Sequence, residues 1–141
     1  MKKVLPLFLA TMFVFAGTMF PAASDDITVT GTLIDTKCYG MMPEANMGNN
    51  HKVPGKDGKM MDVPNCATAC SGMGIPAGIV EGGEAGNKTY VLIVSATALK
   101  DHMAKEARVS GTEVFGGGIL VAKVEVKEDG KWVDVTPGAM M

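Results

Sequence analysis

A small barrel of β-strands is the fold this sequence predicts, and three patterns carry the prediction. Over residues 27–39 apolar and β-branched side chains alternate, with Ile27, Val29, Gly31 and Leu33 on one face and Thr28, Thr30, Thr32 and Ile34 on the other. That is the period of a strand with one buried face. Two further apolar runs, 75–80 and 88–95, are joined by the glycine-rich stretch 81–87 and predict a hairpin. Helix formers over 96–107, with Leu99, Met103 and Ala107 at i, i+4 and i+8, then precede strand-like runs at 108–112, 118–127 and 131–135. Three strands, a helix and two or more strands is the order of an OB-fold, a small Greek-key barrel. An open β-sandwich is the alternative.

Each remaining element follows from local chemistry. Gly31 inside the long first strand suits the coiling a small barrel needs. Asp129-Gly130 marks a tight turn between the last two strands. The run Gly116-Gly117-Gly118 stands between two strands, so it reads as a bend and not as a phosphate cradle, which needs a helix to follow. Residues 40–74 do not fit the barrel skeleton and are expected to form an insertion between the first and second strands. Within it Gly55-Lys56-Asp57-Gly58-Lys59 is a turn that brings Lys52-Val53 opposite Met60-Met61. Pro64-Asn65 then opens a short helix over 66–70, ended by Gly72 and Gly74.

The N-terminus sets the compartment. Lys2 and Lys3 precede an apolar stretch over 4–20, and Ala22-Ala23-Ser24 offers small residues ahead of Asp25. This is the layout of a cleaved secretory signal, and at about 17 residues the stretch is short for a bilayer span. A periplasmic or secreted protein of residues 25–141, with no membrane attachment after cleavage, is the expectation. Loss of the two lysines leaves 11 basic and 15 acidic residues, a net charge of −4. Nucleic acid is excluded as a partner on that balance, since phosphate binding needs a basic face.

Between residues 38 and 73 lie all three cysteines, Cys38, Cys66 and Cys70, together with His51 and half of the 12 methionines, among them Met41, Met42, Met60 and Met61. Thiolate and thioether sulfur are soft donors that select Cu(I), and imidazole also serves copper. Cys66 and Cys70, at i and i+4, share one helix face. Their place near the start of a helix is expected to lower the thiol pKa and favour thiolate. Cys38, His51 or a nearby methionine would complete the site. Zinc is the alternative ion for the same thiolates and His51. Met140 and Met141 read as a frayed C-terminus, and His102, beside Lys100, Asp101 and Lys105, reads as solvated.

The run from Val29 to Cys38 (VTGTLIDTKC), followed by Cys66-Ala67-Thr68-Ala69-Cys70, Gly74-Ile75-Pro76-Ala77-Gly78 and Tyr90-Val91-Leu92, resembles a group of small exported bacterial OB-fold-like proteins, mostly without assigned function. In that group a histidine often stands three positions before the first cysteine of the pair; here that position is Val63. The Cys-x3-Cys pair with a distant histidine is also similar to the copper site of the Sco family. That likeness implies only that this ligand set can hold copper, because Sco proteins have a thioredoxin-like fold.

Three readings of the cysteines stay open. The first is a copper-binding carrier or scavenger, whose further partner would be an exported protein that gives or receives the ion. The second is an OB-fold binding module without metal, stapled by a disulfide from Cys38 to Cys66 or Cys70. Such a bridge closes a loop of about 28 to 32 residues, on the order of 3 kcal/mol in the loop-entropy account. The third is a thiol-disulfide oxidoreductase, which lacks the Cys-x-x-Cys spacing. No other catalytic signature is present: there is no nucleophile elbow, no HExxH and no haem-attachment motif.

Overall fold

The computed structural model describes residues 25–114 and 116–138. The expected leader over 1–24 and the terminal Met140 and Met141 lie outside them. The first strand, β1 (Asp26–Asp35), pairs antiparallel with β4 (Ala77–Glu81) on one side and β6 (Glu106–Val114) on the other. Antiparallel pairing continues from β4 to β5 (Thr89–Ile93) and from β6 to β7 (Gly118–Glu128). Parallel pairing of β5 with β7, Leu92 opposite Ile119, closes the ring. Five strands in this order, with α3 (Ala96–Leu99) between the third and fourth, form the expected OB-fold-like barrel. The last strand, β8 (Lys131–Asp134), extends β7 through the Asp129-Gly130 turn, where both residues have positive φ. Among the described residues no helix is long and apolar enough to cross a membrane.

The alternation read in the first strand is the alternation that packs. Val29, Gly31 and Leu33 point into the barrel, where Leu33 joins Ile79, Leu92, Leu99, Val109, Ile119, Val124 and Val126 in one apolar core. On the other face Ile34 packs with Tyr39 and Val80. Gly31 pairs with both Glu81 and Ala107, and a Cβ there would stand 1.9 Å from the Val80 carbonyl oxygen. Backbone cannot yield as a flexible side chain does, so Gly31→Ala must part β1 from β4. Urea unfolding is expected to show a loss of about 3 kcal/mol or more for this variant.

Two elements differ from the sequence expectation, each for a local reason. The first strand ends at Asp35 and not at residue 39, because the Asp35 side chain accepts a 2.8 Å bond from the Cys38 N–H and caps a short helix, α1 (Thr36–Met41). Cys38 therefore sits in a helix rather than at a strand end. The helix expected over 96–107 stops at Leu99 and continues as a 3-10 turn, Lys100–His102. The Ala104 N–H then bonds the Leu33 carbonyl at 2.8 Å, and Leu33 N–H bonds the Lys105 carbonyl at 3.1 Å, so the chain is drawn into strand pairing. Leu99, Met103 and Ala107 are all buried as their spacing implies, but Ala107 arrives from a strand. His102 is less solvated than expected, its side chain 23% exposed and 3.9 Å from Glu128.

Candidate metal centre

The insertion runs from the end of β1 to the start of β4, slightly longer than 40–74, and holds two helices where one was expected. After α1 come a 3-10 turn (Pro43–Ala45), the hairpin of β2 (His51–Pro54) and β3 (Met60–Val63), and α2 (Cys66–Gly72). The hairpin closes at the expected turn, with Gly55 N–H donating to the Lys59 carbonyl at 2.7 Å. Val53 faces Met61 as expected, while Lys52 faces Asp62 and Met60 faces Pro54.

Asparagines between the two helices tie these pieces together. Asn46 is fully buried; its amide donates to the carbonyls of Cys38 (2.8 Å) and Lys52 (3.2 Å), and its oxygen accepts from Lys52 N–H at 2.8 Å. One side chain thereby sets the distance between α1 and β2. Asn49 serves α2 from outside the helix: its backbone carbonyl accepts from Ala67 N–H and its side-chain oxygen from Thr68 N–H. These are first-turn donors with no partner inside the helix. Asn46→Ala removes one hydrogen bond from each of three backbone groups, the Cys38 carbonyl and the Lys52 carbonyl and N–H, and chemical denaturation is expected to show a loss of about 1–3 kcal/mol.

The result is a buried cluster in which Cys38 from α1 meets Cys66 and Cys70 from α2, walled by Val53, Val63 and Ile75. Cys38 Sγ lies 3.9 Å from Cys66 Sγ, which lies 4.0 Å from Cys70 Sγ. All three are free thiols. A disulfide needs its sulfurs about 2.0 Å apart, so the expected staple is not formed in this arrangement.

His51 opens β2 with 1% exposure, and its Nε2 N–H donates to the Gly48 carbonyl at 2.9 Å. The carbonyl can only accept, so this bond fixes the ring and leaves the other nitrogen, Nδ1, 3.3 Å from Asp35 Oδ2. Nδ1 has no hydrogen-bond partner. Ligand atoms of Cys38, His51 and Cys66 lie within 4.8 Å of one another, as do those of Asp35, Cys38 and Cys70.

Of the pair expected to be acidified by the helix, Cys70 goes the other way. Burial pushes the Cys38 thiol up from 9.0 to about 12, helped by the nearby Asp35 carboxylate and by its contact with Cys66. Burial, then Asp35, also raises Cys70. Short helices of six and seven residues do not offset desolvation beside an anion, so Cys38 and Cys70 are held as thiols in the absence of a cation.

Of the eight residues singled out in the sequence, Cys38, Cys66, Cys70 and His51 converge. Met41, Met60 and Met61 lie about half-exposed, and Met42 lines a shallow surface pocket with Pro43 and Glu44. The four methionines are not among the residues that wall the cysteine cluster. Asp35 and Asn46 escaped the sequence reading. An Asp three residues ahead of Cys38 is a helix-start signal that could have flagged the first.

The centre a small barrel and its insertion define is thus a buried thiol–imidazole–carboxylate cluster. No protein family, curated protein or solved structure matches this chain.

Proposed function

We propose that this chain is an exported metal-binding protein, a carrier or scavenger of Cu(I), with Cys66, Cys70, Cys38 and His51 as ligands. One observation supports the reading: a fully buried imidazole nitrogen that makes no hydrogen bond, with only the Asp35 carboxylate beside it at 3.3 Å, stands next to unbridged cysteines. A buried polar atom left unpaired costs about 1–3 kcal/mol, and a cation removes that cost. Soft sulfur donors favour Cu(I), and the likeness of the Cys-x3-Cys pair and histidine to Sco-type sites implies that this ligand set can hold copper.

Zinc is the second reading, favoured by a donor set in which imidazole and carboxylate stand beside the sulfurs. Tetrahedral zinc with bonds of about 2.3 Å holds its thiolates about 3.8 Å apart, a spacing that the 3.9 and 4.0 Å found here accommodate as readily as they do Cu(I). Anaerobic titration of the reduced protein against chelators of graded affinity tests both. One ion per chain, lost in a Cys66→Ala, Cys70→Ala variant, is the expected result. A protein isolated with Cys38 bridged to Cys66 or Cys70, and unable to hold either ion after reduction, would return the cluster to a structural role.

A further inference from the structure

Asp35 is the buried group that the sulfur and imidazole donors leave unexplained. Its side chain has no exposure. Oδ1 caps α1 through the Cys38 N–H, a task that serine or asparagine performs as well. Oδ2 makes no hydrogen bond, although it lies 3.3 Å from His51 Nδ1, which also makes none. A second carboxyl oxygen is therefore present where the cap needs only one. Burying it against the His51 ring nitrogen, 3.3 Å away, is costly unless the two atoms share a cation.

The carboxylate is aimed into the cluster. One Asp35 oxygen falls within 4.8 Å of the Cys38 and Cys70 sulfurs, and the second group of donors, with His51 and Cys66, shares Cys38. Resting on the metal-binding reading above, we propose that Asp35 determines the selectivity of this centre: its Oδ2 is a hard oxygen donor that admits a borderline divalent ion of the zinc class beside the thiolates. Zinc accepts carboxylate oxygen together with sulfur and nitrogen, whereas Cu(I) gains little from it. Charge acts in the same direction. In a buried site an added anion stabilises a divalent ion about twice as much as a monovalent one. On binding, the thiol protons leave to solvent and the carboxylate oxygen exchanges an unpaired state for the cation.

The test is Asp35→Ser, which keeps a capping oxygen for the Cys38 N–H and removes Oδ2. Asparagine is a poorer choice, because its amide could donate to His51 Nδ1. Zn(II) and Cu(I) affinities are measured for wild type and variant by chelator competition on reduced protein. Zn(II) affinity is expected to fall about tenfold or more while Cu(I) affinity moves less than about threefold. An equal loss for both ions makes Asp35 a cap only and overturns the proposal, as does unchanged zinc binding. Wild-type protein that holds neither ion overturns the metal-binding reading and this one with it, whereas Cu(I) binding with the selectivity unchanged overturns this one alone. Should the variant fail to fold, cadmium NMR of the wild type reads the donor set directly. A mixed sulfur, nitrogen and oxygen signature is expected, and one without oxygen overturns the assignment.

Discussion

Cu(I) loading is expected to raise the thermal unfolding midpoint of the reduced protein by about 15 °C, and Cys66→Ala to abolish most of that gain. The size follows from linkage. An ion present at about a thousand times its dissociation constant adds about 4 kcal/mol to the native state, and a domain of this length shifts by roughly 4 °C per kcal/mol. Cys66 lies 3.9 Å from Cys38 and 4.0 Å from Cys70 and is grouped with both Cys38 and His51, so its loss removes the ligand that joins the sulfurs to the imidazole. In the metal-free protein the same substitution only trims a small buried side chain, about 1–2 kcal/mol. His51→Ala is expected to fall between, since two or three sulfurs still hold Cu(I). Differential scanning of the wild type and both variants, with and without one equivalent of ion, checks the pattern. A midpoint unmoved by Cu(I) in the wild type would sink the copper reading.

The barrel was largely legible in the sequence, because its determinants are local and periodic. Alternation from Ile27 to Leu33 encodes one buried face regardless of which strand lies alongside, and the glycine-rich joint after Glu81 permits little except a hairpin. What was misread lies where local preference yields to tertiary pairing. Helix formers run through Lys105, yet the helix stops because β1 presents the Leu33 carbonyl and N–H to residues 104 and 105. Ala104 takes a positive φ of 66° to meet them, a conformation no propensity scale would assign to alanine. The stretch through Cys38 reads as a continuing strand from its β-branched residues. Only the cap made by Asp35 turns it into a helix.

The centre was half legible, and the division is instructive. Three cysteines and a histidine in a short segment stand out by composition alone, because those residue types are scarce elsewhere in the chain. His51 reads as a loop residue from its neighbours Gly48, Asn49 and Asn50; it becomes buried because those asparagines bond to α2 and fold the loop over it. Methionine carries no such distinction. The same thioether that binds Cu(I) also packs apolar gaps or sits at a surface, and Met47 indeed packs against the Ile34, Tyr39 and Val80 cluster. Asp35 was legible as a helix start but not as part of the centre, for a different reason. A single carboxylate among 15 acidic residues gains meaning only from the removal of water around it, which is a property of the fold.

That same removal of water gives metal-free and metal-loaded protein opposite responses to pH. In the metal-free protein the Cys38 thiol is held up at about 12, against 9.0 when unfolded, chiefly by burial. Below pH 9 both states keep the proton and the difference costs nothing. Above it the unfolded chain ionises first and binds fewer protons than the native one, so stability falls with rising pH through the window from 9 to 12. Cys70, raised by the same causes, adds to the fall. A bound ion reverses the sign. Its thiolates must shed protons, so binding releases acid and tightens as pH rises towards 9. Scanning metal-free protein from pH 6 to 10.5 is expected to give a plateau that breaks downwards near 9, while the increment from Cu(I) grows across the plateau. A metal-free midpoint that stays level to pH 10.5 would mean the thiols are not desolvated as the fold places them. A Cu(I) increment independent of pH would mean the ion is held by groups that carry no proton, and would move attention from the cysteines to the exposed thioethers of Met41, Met60 and Met61.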